Sequence, residues 1–193
     1  MNRSRFAVAM NRTACSLALF SAVSSCGTYL PTSLPTVAES SSWSTTGNLV
    51  NGPGINVHLF PSTDPSRFAQ SLYRSNTFIV TLVVNADSIS SYTLDPSQVK
   101  LIVSDKTPLP AKIYPTLPAT DHIWRASDRE LKSPTRLSET NKQFELRFDV
   151  APPSPDTEFT LVIDGLTRTD VPFIFPQIVF KKGMRYVGGS FRG

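Results

Sequence analysis

Cysteine is almost missing from this chain of 193 residues: there are two, Cys15 and Cys26, both near the N-terminus. Two thiols cannot build a disulfide framework or a four-thiolate zinc site. Histidine is equally scarce, represented by His58 and His122 alone. No HExxH pair, His-rich tract or acidic calcium loop accompanies them, so no metal or other cofactor is expected. A GxSxG elbow, an SxxK pair and a glycine-rich phosphate loop are also lacking, and no catalytic residue is expected. The chain reads as a non-enzyme. Past the first 26 residues no apolar run approaches the ~20 residues of a spanning helix, which excludes a polytopic membrane protein. Helix signals are few. Asp64–Tyr73 is the one candidate, with Asp64 as cap and Pro65 in the first turn. What remains is 40% hydrophobic and 18% charged, the balance of a globular domain.

The N-terminus carries Arg3, Arg5 and Arg12 ahead of an apolar run from Ala14 to Val23. A basic start, a short apolar stretch and small residues form the pattern of a secretory signal. The run closes on Val23-Ser24-Ser25-Cys26: an aliphatic residue, two small residues, then cysteine. In this the chain resembles the bacterial lipoproteins, over its first 27 residues. The resemblance implies that 1–25 is a signal peptide, cut between Ser25 and Cys26. It implies that the Cys26 thiol receives a diacylglyceryl group and that the new amine is acylated, making the membrane a partner through the N-terminal lipid. Gly27 follows the cysteine where an aspartate would imply inner-membrane retention. The outer membrane, facing the periplasm, is therefore favoured over the inner membrane. The alternative is a soluble export signal cut near Ser24 or Ser25, with Cys26 an ordinary thiol.

Met1-Asn2-Arg3 recurs as Met10-Asn11-Arg12, so a start at Met10 would give a compact signal and the same product. Cleavage leaves 168 residues with 16 Lys+Arg against 15 Asp+Glu. The sequence pI of about 9.2 is thus partly a property of the discarded peptide. No strong positive field remains, and no nucleic-acid partner is expected.

Residues 26–48 are rich in Ser, Thr and Pro with one charge, Glu39, and read as a flexible tether. As a coil it would lift the domain by roughly 25 Å. Trp43 is its exception, docking back on the domain or resting among lipid headgroups. From Leu49 to Gly193 the apolar period is two, the spacing of strands. Ile55, Val57 and Leu59 alternate with Asn56 and His58, which places His58 on an outer face. Phe78, Val80, Leu82 and Val84 share one face of a stretch whose other face is also apolar, as befits a central strand. Val99, Leu101 and Val103 alternate; so do Phe144, Leu146, Phe148 and Val150 with Glu145, Arg147 and Asp149. Phe159, Leu161 and Ile163 follow. Lys112–Tyr114, between prolines, reads as an edge strand. Val171–Lys182 adds one or two strands, Arg185–Val187 closes the set, and Asp164-Gly165 and Lys182-Gly183 read as turns. Seven or eight short strands predict an all-β fold: an antiparallel two-layer sandwich of immunoglobulin-like architecture, with a small barrel as alternative.

One segment stands out. Pro115–Lys142 is a long connection holding Asp121, His122, Trp124, Arg125, Asp128, Arg129, Glu130 and Lys132. Trp124 beside Arg125 is a pair favoured at protein–protein contacts. Three roles stay open for the segment: a structural loop, a partner contact, and catalysis through Asp121, Asp128 or Glu130. The basic, aromatic C-terminus (Lys181, Lys182, Arg185, Arg192) reads as a solvated edge, with lipid contact as alternative. The whole predicts a lipid-anchored envelope protein that binds or scaffolds other envelope proteins. Its alternative is a periplasmic carrier or chaperone with a cleft for a lipid or small ligand.

Overall fold

In the computed structural model the described residues are 28–38, 42–62, 77–104, 107–118, 124–169 and 173–187. The Asp64–Tyr73 helix, Asp121, His122, Cys26 and the signal segment lie outside them. The chain forms two compact units, one of Met1–Leu30 with Arg185–Gly193 and one of Pro31–Met184. In the first, the described residues are the ends of two strands, with Tyr29 65% exposed. The second holds the core.

In chain order the strands are β1 (Thr28–Thr36), β2 (Ser44–Thr46), β3 (Leu49–Gly52), β4 (Ile55–Pro61), β5 (Phe78–Ala86), β6 (Tyr92–Leu94), β7 (Val99–Val103) and β8 (Leu109–Pro110). They continue as β9 (Lys112–Pro118), β10 (Trp124–Ala126), β11 (Thr135–Arg136), β12 (Gln143–Phe148), β13 (Phe159–Ile163), β14 (Leu166–Arg168) and β15 (Ile178–Val187). Among the described residues there is no α-helix, only the 3-10 turns Ile89–Ser91 and Pro96–Gln98. One sheet runs β1-β15-β13-β7-β8, a second runs β10-β9-β12-β5-β4-β3-β2, and a small third runs β11-β6-β14. The pairs joining β2 to β3, β4, β5, β12, β9 and β10 are antiparallel, as are those joining β15, β13, β7 and β8. The fold is an all-β antiparallel sandwich.

Period-two patterning places the side chains as expected. In β12, Phe144, Leu146 and Phe148 are fully buried while Glu145 and Arg147 are half-buried. In β4, Ile55, Val57 and Leu59 face the core, and His58 lies on the other face, stacked 6.2 Å from Phe60. β5 is central, paired on both sides by β4 and β12. Phe78, Val80, Leu82 and Val84 are all fully buried, and Ile79 and Thr81 on its other face are buried too. Between the sheets the aromatic rings form a continuous filling. Phe78 meets Phe159 edge-on at 5.1 Å, Phe159 stacks on Phe180 at 4.6 Å, and Phe148 lies 6.1 Å from Phe78. Such pairs are stabilising beyond their buried area.

Four expectations need correction. The stretch taken as a tether, 26–48, contains β1 and β2. Its prolines do not forbid a strand, because Pro31 and Pro35 are four apart and share one side of β1. A proline lacks the N–H a ladder needs, so it suits an outermost strand with that side turned away from the neighbour. β1 is outermost in its sheet, and within the larger unit Thr36 Oγ1 donates to the Val179 carbonyl of β15 at 2.7 Å. Trp43 docks on the domain, 9% exposed, with its ring 4.9 Å from Phe175 and 5.9 Å from Phe173. Gly52 makes room for it: a Cβ there would lie 2.3 Å from the indole.

Lys112–Tyr114 is not an edge. β9 pairs with β12 through residues 112–115 and with β10 through 116–118, while Leu131 bridges Ile113. The prolines end the pairing with β12 and the chain takes a second partner. Lys182-Gly183 is not a turn but lies inside β15, where Leu34 packs across the glycine. Asp164-Gly165 does turn the chain, from β13 in one sheet to β14 in another. Finally the strands outnumber the seven or eight expected, because strands of two to four residues carry no readable period.

Candidate functional site

The described residues of Pro115–Lys142 are tied to the domain at several points. Ser127 N–H donates to Pro115 O at 2.7 Å, Leu131 N–H to Ile113 O at 2.7 Å and Leu137 N–H to Tyr92 O at 2.9 Å. Leu137 is buried in the core, and β11 pairs with β6. Ser138 and Asn141 close a tight turn, across which Lys142 meets Glu139 at 2.5 Å. Leu131 and Leu137 help hold the segment, while Asp128, Arg129, Lys132, Arg136 and Glu139 are exposed.

Between this segment and β9 lies a cleft of about 730 Å³, lined by Tyr114, Pro115, residues 127–133 and Thr135. Asp128 and Glu130 supply carboxylates, and Arg129 and Lys132 supply cations. Tyr114, Pro115 and Leu131 provide an apolar floor. Both signs of charge stand together over apolar surface, which suits a polar partner surface that is itself mixed in charge. Among the described residues no group of three His, Cys, Asp or Glu could hold a metal ion.

The outer face of β9 and β12 adjoins this cleft through Tyr114. Arg147 lies over the Tyr114 ring, 4.1 Å from its centroid. Its Nε and a terminal nitrogen donate to the same Glu145 oxygen at 3.0 and 2.8 Å. The cation is thus held on an aromatic face by a fork to a carboxylate two residues away on the same strand. Nearby, Lys112 donates to Asp149 at 2.8 Å, and this bond and charge raise the Lys112 pKa above its ordinary value. Gln143 and Thr116 lie one step beyond the Phe144–Pro115 pair, 5% and 4% exposed. Gln143 Nε2 and Thr116 Oγ1 have no hydrogen-bond partner among the described residues. Buried polar atoms of this kind are uncommon, since each carries a desolvation cost with nothing to offset it.

Of the residues singled out in the sequence, Asp128, Arg129, Glu130 and Lys132 are gathered at the cleft. The backbone of Trp124 and Arg125 forms β10, the outermost strand beside β9, with Trp124 opposite Pro118 and Arg125 opposite Leu117. His58 sits on a different part of the same sheet, away from those carboxylates in the strand order. Tyr114 and the Glu145–Arg147 pair went unrecognised in the sequence. Alternation puts Glu145 and Arg147 on one face, but only strand pairing brings Tyr114 to them.

Comparison with known proteins returns nothing: no family model matches the chain, and no curated protein or solved structure is significantly similar to it. No described helix is long and apolar enough to cross a membrane.

Proposed function

We propose that this protein is a lipid-anchored component of a bacterial envelope, acylated at Cys26, that binds or scaffolds other envelope proteins without performing catalysis. Val23-Ser24-Ser25-Cys26 supports the anchoring part. The observation that favours scaffold over carrier is the filled space between the sheets. A carrier for a lipid or small apolar ligand needs an apolar cavity of several hundred Å³. Here Phe78, Phe148, Phe159 and Phe180 occupy the inter-sheet layer at ring separations of 4.6 to 6.1 Å. Among the described residues a roomy space of about 730 Å³ is the cleft beside β9, whose lining is mixed polar and apolar. Partner contact is assigned to that cleft and to the β10 edge bearing Trp124 and Arg125, on the outer-membrane face toward the periplasm.

The test is recovery of complexes from native envelopes, with the full-length protein as bait and intact-mass analysis of the same sample. A diacyl or triacyl mass on a peptide beginning at Cys26, with partners retained by wild type and lost from Trp124→Ala at unchanged thermal midpoint, is the expected result. An N-terminus elsewhere without lipid mass ends the anchored reading. Partners retained equally by both proteins move the contact away from β10.

A further inference from the structure

We propose that the sandwich rests on the lipid surface itself, because its outermost strand β1 is joined almost directly to the acylated cysteine. The inference rests on the reading of Cys26 as the lipidation site. A flexible stretch reaching from Cys26 to residue 48 would let the domain float roughly 25 Å from the bilayer. That stretch instead contains β1 and β2. Within the larger unit β1 is fixed to β15 at two places: Thr36 Oγ1 bonds the Val179 carbonyl, and Leu34 lies against Gly183. Thr32, Ser33 and Pro35 are buried alongside.

Five residue steps separate Cys26 from Pro31, the first residue of that unit. Fully extended, they span at most ~18 Å at ~3.6 Å per residue. A thioether-linked diacylglycerol holds the cysteine at the boundary of hydrocarbon and headgroups. The headgroup layer is itself about 5–8 Å deep, half the difference between the whole bilayer and its core. The sheet can therefore stand no more than about 10–13 Å clear of the headgroups even with the link pulled straight.

The exposed residue on this link suits such a surface. In the smaller unit Tyr29, three residues from Cys26, is 65% exposed, and tyrosine is a preferred residue of the membrane–water interface. The proline pattern of β1 also removes donors from its outer side, so this edge is a poor template for strand addition by another protein. A lipid surface needs no such donors.

The experiment is neutron reflectometry of the acylated full-length protein in a supported bilayer of phosphatidylethanolamine and phosphatidylglycerol. Wild type should show protein density beginning at the headgroups, with no solvent layer wider than ~13 Å. A variant with 20 Gly/Ser residues inserted between Gly27 and Thr28 should open a layer of roughly 25 Å. Wild type showing a layer as wide as the insertion variant, with lipid present on Cys26 by intact mass, would overturn the inference and leave the anchored reading standing. Absence of lipid on Cys26 overturns both.

Discussion

The two faces of β12 are governed by different physics. Its inner face, Phe144, Leu146 and Phe148, is dry and fully buried, and each side chain is placed by alternation alone. Its outer face, Gln143, Glu145 and Arg147, is polar, and each side chain is placed by what stands on β9 and in the segment folded beside it. There Arg147 needs both the Glu145 fork and the Tyr114 ring, while Gln143 keeps an unpartnered nitrogen. The inner face determines whether the domain folds. The outer face holds the polar contacts.

The largest test of that contrast is Phe148→Ala beside Arg147→Ala. Removing a fully buried phenyl ring from the aromatic filling should destabilise the domain by ~3–5 kcal/mol. Losing Arg147 should cost about 1 kcal/mol or less, since the pair and its ring contact are partly solvated. Denaturant unfolding of both variants measures the difference. Similar small losses at both positions would mean that the two faces are not distinct.

A smaller effect is expected at Gly52, and it asks whether the stretch before Leu49 belongs to the folded domain. A methyl group there would lie 2.3–2.5 Å from three atoms of the Trp43 ring. Gly52→Ala should therefore cost ~1–3 kcal/mol through overpacking and should alter the near-ultraviolet circular dichroism of the tryptophan. An unchanged spectrum and midpoint would put Trp43 off the domain, as a true tether would.

The smallest effect concerns Tyr92, 1% exposed, whose hydroxyl donates to Gly54 O at 3.4 Å. Burial raises its pKa above 10.0, nearby Arg168 lowers it in part, and Asp87 raises it. The unfolded chain then loses this proton first as pH rises. The stabilising contribution is complete below pH 10 and falls away as pH climbs from there through the folded value. Lys112 is raised as well and acts in the same direction. Stability curves from pH 9 upward should therefore decline less steeply for Tyr92→Phe than for wild type, by under ~1.4 kcal/mol per pH unit. Parallel curves would show that the hydroxyl is hydrated in the folded protein.

How legible each part was in the sequence follows from the same contrast. The strands of the core were readable because burying one face of a pleat imposes a period of two, visible in β4, β5, β7, β12 and β13. Trp43 was readable because a lone indole in a Ser/Thr stretch has little else to bury it. β1 was not, because an outermost strand with prolines on one side has the composition of a coil. The cleft was half-legible. Its charges could be noticed as a cluster, yet Tyr114 lines it from β9 and meets Arg147, 33 positions on, only through the β9–β12 register.

The sequence by itself determined the all-β class and the inner faces of β4, β5, β7, β12 and β13, for these depend on local order along the chain. Tertiary structure alone decided that residues 28–36 form the outermost strand of a sheet, that β9 is covered on both sides and that residues 127–133 line a cleft beside it. Those depend on pairing between distant segments, where hydrogen bonds between strands and contacts across them outweigh what neighbouring residues prefer.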